Sequence, residues 1–515
     1  MAVIGRHLPR LRGKFTGMRL AILAVIATGC GGHTSAAAAP PPAAHEFAAA
    51  RWVPAKPTYV FASPALDRAQ RSLLDTLDLL GTVAGFDLRD ASRAVAGVLG
   101  VDALHPDPIA AIGIDTHGSW TMFSDDLSPT LVVHLAAPEL MAGFLDRQRE
   151  RGLVTQSVIV DKTDVFSATL SGPFKISWAI AGEWMWVHVA LPFAHDDGTS
   201  WFAASHAPHA AAWGGSWAWA QRAAGAAAGV VGFLDLHGAA ANAAAWLPDA
   251  VACAKLVEPV GRIAVALEGD EHHVATRFAL DVGSTASLGS LLLPVPSGWH
   301  ATAEHAAIAA QWNLDLPAVR SWLAPCLASA GVDLTTLDEA GVRAARGVLL
   351  DFDPDAASGS GAVALDVTRA AFFQRLLDRI PMRHMLERGR TFGATRGSSI
   401  SIPFGVTLEY VVEDHRALAA VGEGTLARLL APAAATPPGT AAAPIPIAAI
   451  DIAPPAMSPR AWMAVLHAVT EQQLSGTPSP AIQHAVERLM HWRTGHLGVT
   501  AEPTELVITL SGHRR

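Results

Sequence analysis

The chain has 515 residues, of which 51% are hydrophobic and only 16% charged, with a formal net charge of -9. That negative balance argues against a nucleic-acid partner, which calls for basic patches to neutralise phosphate. The length allows two or three domains with well-filled cores, and beyond the N-terminal segment no apolar run is long enough to span a bilayer. Much of the hydrophobic content is alanine, so it does not point to membrane insertion.

The first 19 residues contain Arg6, Arg10, Arg12, Lys14 and Arg19 and no acid. Leu20 to Ala27 is uninterrupted apolar sequence, closed by Thr28, Gly29 and Cys30. A basic stretch, a short apolar stretch and small residues before a cut describe a secretory signal over residues 1–29. Ala-Thr-Gly-Cys30 resembles the lipobox of bacterial lipoproteins, although Ala27 stands where that motif usually has Leu. The resemblance implies that Cys30 is lipidated and becomes the mature N-terminus, held to the bilayer by more than one acyl chain. The alternative is an ordinary cleaved signal with its cut near Ala36 to Ala39. Gly31 and Gly32 follow the cysteine with no Asp, and in such lipoproteins this implies the outer membrane, facing the periplasm.

Residues 30–51, rich in Ala and Pro, read as a tether. Val53 to Phe61 reads as an entry strand. A helix follows, with Ser63 as N-cap, Pro64 at its first position and Leu66, Leu73, Leu74, Leu77 and Leu80 facing a core. Strands are expected over Ile109 to Ile114 and Thr130 to Leu135, then an amphipathic helix from Pro138 to about Arg149. Four strand-like runs come next: Val154 to Val160, Val165 to Leu170, Lys175 to Ile180 and Trp184 to Ala190. The last two are joined by a hairpin signal at Ala181-Gly182-Glu183. Residues 192–228 read as an irregular insert rich in Ala, His and Trp. A strand Val230 to Leu236, a helix around Trp246 and paired strands Ile263 to Glu268 and His273 to Leu280 complete the first half. In the second half, residues 354–361 and 431–444 read as loops, the latter as a linker.

Internal echoes organise the whole. Val53-Pro54 recurs at Val295-Pro296. Leu131 to Leu135, followed by Phe144-Leu-Asp-Arg147, recurs at Val363 to Val367 and Leu376-Leu-Asp-Arg379. Phe233-Leu-Asp235-Leu recurs at Ala449-Ile-Asp451-Ile, and Glu268 and Glu271 recur at Glu502 and Glu505. Four echoes in one order predict an α+β chain of two tandem, duplicated halves, 52–290 and 291–515, each an antiparallel sheet packed with helices.

Candidate sites are few. His195, Asp196, Asp197, His206 and His209 have ligand chemistry for zinc or another divalent ion, though no regular element holds them in line. Asp351, Asp353 and Asp355 resemble the start of a calcium loop but lack its turn glycine and closing Glu. Glu271-His272-His273 puts its two imidazoles on opposite faces of a strand. Cys253 and Cys326 are a candidate disulfide or two buried thiols. Trp178, Trp184, Trp186, Trp213 and Trp217 would either line an apolar cleft or fill the space between sheet and helices.

In lipobox, tether and repeated strand-helix units the chain resembles the large myxobacterial-type lipoproteins of unknown function, which implies an envelope location and no particular activity. The expected function is a non-enzymatic, periplasm-facing lipoprotein, binding an apolar small molecule or an envelope protein between its halves, with no cofactor and no nucleic acid. A metal-assisted hydrolase using the His195–His209 insert and a purely structural envelope protein are the alternatives.

Overall fold

The computed structural model describes residues 44–82, 92–93, 96–97, 100–124, 127–151, 153–169, 175–191, 199–206, 213–225, 228–243, 260–284, 306–315, 317–321, 341–356, 358–378, 385–402, 406–430, 446–470 and 477–515. The expected signal segment (1–29), Cys30, Cys253, Cys326, Trp246, Val295-Pro296 and the expected linker at 431–444 lie outside them.

Among the described residues twenty strands form one continuous antiparallel ladder. In the first half they are β1 (Tyr59–Ser63), β2 (Trp120–Ser124), β3 (Thr130–His134), β4 (Thr155–Val160), β5 (Thr163–Thr169), β6 (Lys175–Ala181), β7 (Trp184–Ala190), β8 (Val230–Asp235), β9 (Arg262–Gly269) and β10 (His273–Asp281). The second half contributes β11 (Ile308–Trp312), β12 (Val342–Asp353), β13 (Ser358–Val367), β14 (Leu386–Phe392), β15 (Thr395–Ile402), β16 (Val406–Glu413), β17 (Arg416–Val421), β18 (Pro446–Ile452), β19 (Trp492–Ala501) and β20 (Glu505–Arg514).

The pairings run β4-β5-β6-β7-β3-β2-β1-β8-β9-β10-β20-β19-β18-β11-β12-β13-β17-β16-β15-β14. Read inward from its two edges, this order is the same with every strand number raised by ten. The sequence echoes fall on matching strands: β3 with β13, β8 with β18, and the β9–β10 pair with β19–β20. The centre is the β10–β20 pair, in register from His273 opposite His513 to Asp281 opposite Glu505. It is a hydrogen-bonded seam, so the crevice expected between the halves is closed there.

Helices cover both faces of the ladder, as expected of an α+β chain. On one face lie α1 (Leu66–Leu80), α2 (Pro106–Ala110) and α3 (Pro138–Glu150). The opposite face of the first half is covered by a 3-10 helix, Ala44–Trp52, with α4 (Ser200–His206) and α5 (Gly214–Ala224). Helix α6 (Leu236–Ala243) follows β8. In the second half, α7 (Ala370–Asp378) follows β13 as α3 follows β3, and α8 (Thr425–Leu430) lies between β17 and β18. Two further helices, α9 (Pro459–Thr470) and α10 (Pro480–Leu489), pack on Ile308, Leu349 and Ile452 through the buried Trp462.

Five expectations are corrected. Residues 44–51, expected to belong to the tether, are part of the fold, with Phe47 and Ala49 buried in the first core. Helix α1 starts at Leu66 with Ala65 as N-cap, while Ser63 ends β1 and turns its hydroxyl onto the Ala65 carbonyl. Its buried side is Ala69, Gln70, Ser72, Asp75, Thr76 and Leu79, and Leu73 is exposed. Small residues let this helix lie close on the sheet: a Cβ on Gly269 would stand 2.6 Å from the Asp75 carboxylate. Ile109–Ile114 is not a strand but the end of α2 and a turn, capped by a bridge from Ile114 to Leu135; the neighbouring strand is β2. The insert at 192–228 contains two helices, α4 and α5. The expected loop at 354–361 is only a tight turn, since β13 already begins at Ser358.

Candidate ligand-binding site

The tryptophans fill a core rather than line a cleft. Trp184 and Trp186 project from β7 onto the face covered by the 44–52 segment, and Trp52 meets Trp186 edge-on at 5.0 Å. Helix α4 adds Trp201 and Phe202; α5 adds Trp217 and Trp219, with Trp213 5.8 Å from Trp217. Trp186 is 0% exposed and Trp184 and Trp217 are each 9%, so among the described residues no opening remains between these rings. Trp178 is not among them. The two-residue turn at Gly182 (φ +59°) and Glu183 sets Trp178 opposite Val187 and Ala179 opposite Trp186. Alternation therefore sends Trp178 through the sheet, where it stacks on Phe166 at 5.9 Å and packs with Ile109, Leu135 and Met141.

Of the expected metal ligands, only His206 is described; His195, Asp196, Asp197 and His209 lie outside the described residues. The His206 ring sits against Phe202, Trp186 and Trp52 at 4.1, 4.7 and 5.1 Å, with Nδ1 3.2 Å from the Phe202 carbonyl. It is a packed core histidine. Among the described residues no group of three His, Cys, Asp or Glu side chains converges on a metal-sized point. The aspartates at the end of β12 are also engaged. Asp353 accepts the backbone N–H of Asp355 and Ala356, Asp355 pairs with Arg460, and Asp351 accepts the Ser360 hydroxyl.

Two arrangements were not legible in the sequence. His134 Nδ1 lies 2.8 Å from Asp115 and its Nε2 3.5 Å from Glu183. Every polar contact of this imidazole among the described residues goes to a carboxylate, so it fixes the 113–118 loop to β3 without a nucleophile to activate. The other is a groove of about 200 Å³ in the second half, on the sheet face that also carries α9 and α10.

Its floor follows from strand alternation. Ala310 stands opposite Gly347 on β12 and Ile450 on β18; Trp312 stands opposite Ala345 and Ala448. All of these side chains point to one face. Four small residues thus leave a depression walled by Trp312, Ile450 and Val363. The Trp312 indole Nε1 is buried there with no hydrogen-bond partner among the described residues. The first half differs at the positions corresponding to this floor: Phe61 stands at the Trp312 position and Gly232 at that of Ala448. A larger cleft of about 470 Å³ lies beside Asp67, Arg68, Arg71, Glu268 and Asp270, but it mixes both signs of charge. The Asp270 carboxylate there already accepts the His272 and His273 N–H groups at 2.7 Å each.

No protein-family model matches the sequence, and no curated protein sequence matches it. Among solved structures the chain is similar to three crystal forms of TP0453, III, I and IV, each at 8% identity and a TM-score of 0.25. They cover 48, 46 and 45% of this chain and 82, 79 and 79% of TP0453. Likeness at this level assigns neither fold nor activity.

Proposed function

We propose that the chain is an exported, lipid-anchored envelope protein that binds one acyl chain of an amphiphile in the β11–β12–β18 groove, without catalysis. The observation that carries this reading is the Trp312 N–H, buried without a partner among the described residues beside an Ala/Gly floor. A buried donor left unpaired costs about 1–3 kcal/mol, which an ester or carboxylate oxygen of a bound amphiphile would recover. The groove is smaller than the roughly 300–1,000 Å³ of sites for drug-sized ligands, which fits a single slender chain. Acyl chains are also what a protein tied to the outer membrane through Cys30 would meet at its periplasmic face.

We further read the halves as an internal duplication. The strand order repeated at a spacing of ten and the ordered sequence echoes support it. On that reading the groove is a divergence of the second copy, where Ala310 and Ala345 stand at the positions of Tyr59 and Met122 and replace bulk with space.

One preparation from membranes tests both parts. Its denatured mass should equal residues 30–515 plus acyl groups, and an unmodified chain starting near Ala36 to Ala39 would refute the anchor. In native spectra the protein should carry a fatty-acyl adduct, and a long-chain fatty acid added as probe should bind. Gly347→Val should abolish that binding, because a Cβ there meets only the Ala362 carbonyl at 3.6 Å and further carbons would fill the groove. Trp312→Phe keeps the ring and should weaken binding about fivefold through the lost hydrogen bond. Binding indifferent to Gly347→Val would overturn the site.

A further inference from the structure

Among the described residues the sheet ends on two strands that hold equivalent places in the strand order, β4 and β14, and only one of them is guarded. β14 carries Glu387, Arg388 and Arg390 and is broken by a bulge between the two arginines, where Gly389 has φ +76°. Arg390 is held by Glu423 at 3.1 Å and faces Glu387 at 3.8 Å. Charges and bulges are the devices by which an edge refuses another strand. β4, Thr155-Gln-Ser-Val-Ile-Val160, has no charge, proline, glycine or bulge, and it pairs with β5 in unbroken register. Val154, Val158 and Ile159 are 82, 56 and 72% exposed.

The hairpin geometry identifies the open backbone groups. Asp161 and Lys162 (φ +48° and +67°) form a two-residue turn closed by the Val160–Thr163 pair. In such hairpins the closing pair is hydrogen-bonded and bonding alternates along the strand. Val160, Val158 and Gln156 therefore bond to β5, while Thr155, Ser157 and Ile159 turn their N–H and C=O groups outward.

We propose that β4 is a self-association edge, through which two copies of this chain pair antiparallel about Ser157. That register sets Thr155 of each copy opposite Ile159 of the other and uses all three outward-facing residues. The flanking charges favour a second copy. Arg151 precedes the strand and Asp161, Lys162 and Asp164 follow it, all four exposed, so the following segment is acidic by one net charge. In the antiparallel pair Leu153 comes opposite Asp161 of the second copy, so each Arg151 approaches the other copy's 161–164 segment, where Asp161 and Asp164 outnumber Lys162. A parallel pairing would set like charge against like. A pair of six-residue strands is smaller than a standard interface, so the dimer is concentration-dependent and reversible.

Sedimentation velocity on the full-length chain, with Cys30→Ser to keep it free of lipid, tests this across a concentration series. The expected result is a monomer–dimer equilibrium. Ile159→Lys, which copies the guard on β14 at an exposed position, should raise the dimer Kd at least about tenfold. Arg151→Glu should weaken the dimer and the double variant Arg151→Glu/Asp161→Arg should restore it, as only contact between copies would. A wild-type monomer at every concentration overturns the proposal, as does a dimer indifferent to Ile159→Lys. A monomer that instead binds phosphatidylethanolamine–phosphatidylglycerol vesicles through Val158 and Ile159 also overturns it, in favour of a membrane surface.

Discussion

Asp270 sits at the turn between β9 and β10, where its Oδ1 accepts the N–H groups of His272 and His273. Those two backbone bonds, with a smaller contribution from the nearby imidazoles, hold its carboxyl below the usual carboxylate range. The sign follows from linkage. A group whose pKa is depressed on folding contributes stability above its unfolded value, near 3.8, and loses that contribution as pH falls through the lower folded value. Asp270→Asn keeps the turn and removes the titration. The variant should be less stable than wild type at pH 7, and the gap should narrow as pH drops below about 4. Thermal midpoints at pH 7 and pH 3 measure it, and an equal gap at both would refute the assignment. Residue-scale features of this kind are only half legible in sequence. Asp-Glu-His-His marks a turn, but a buried donor such as the Trp312 indole depends on which strands lie beside it.

At the scale of elements, Glu409 on β16 shows how the second half orders a short helix. It is fully buried, and its carboxylate accepts the N–H groups of Gly424 and Leu426 at 2.8 and 2.9 Å, at the start of α8. Two otherwise orphaned donors are thereby satisfied. Glu409→Leu should leave both buried and unpaired, at a cost of about 2–4 kcal/mol, with Glu409→Gln intermediate. A midpoint unchanged by Glu409→Leu would mean that α8 caps itself another way. Most strands of the first half were readable from alternation and turn residues, as β6 and β7 are around Gly182. The failures have identifiable causes. Ile109–Ile114 has a strand's composition, but Pro106 opens a helix at its start. Trp120–Ser124 alternates in size more than in polarity. In α1 the leucines suggested the buried stripe, yet Ala69, Ser72 and Thr76 face the sheet because close approach rewards small side chains more than large ones.

For the whole molecule the decisive strand is the last one. β20 belongs by sequence order to the second half, yet it pairs with β10, and its Val507 is buried in the tryptophan core of the first half. Glu505 accepts the Trp219 indole N–H at 2.7 Å, and Arg514 bonds the buried Asp75 of α1 while its guanidinium lies 5.2 Å from the Trp492 ring centroid. The antiparallel sheet with helices was anticipated from the sequence, but the seam was not, since no local pattern encodes which edges of two sheets will meet. Its consequence is cooperativity. Arg514→Met removes one partner of a largely buried ion pair and should cost about 2–3 kcal/mol, less than a fully buried pair because the arginine is partly solvated. A double variant, Arg514→Met with Asp75→Leu, should recover most of that loss, since the one carboxylate left without the arginine, Asp78 at 3.7 Å, is partly solvated. Hydrogen exchange distinguishes the scale of the effect. If the seam couples the halves, Arg514→Met speeds exchange in β1 and β8 as well as in β19 and β18. Faster exchange confined to β20 would mean that the last strand frays alone and that each half of the sheet stands by itself.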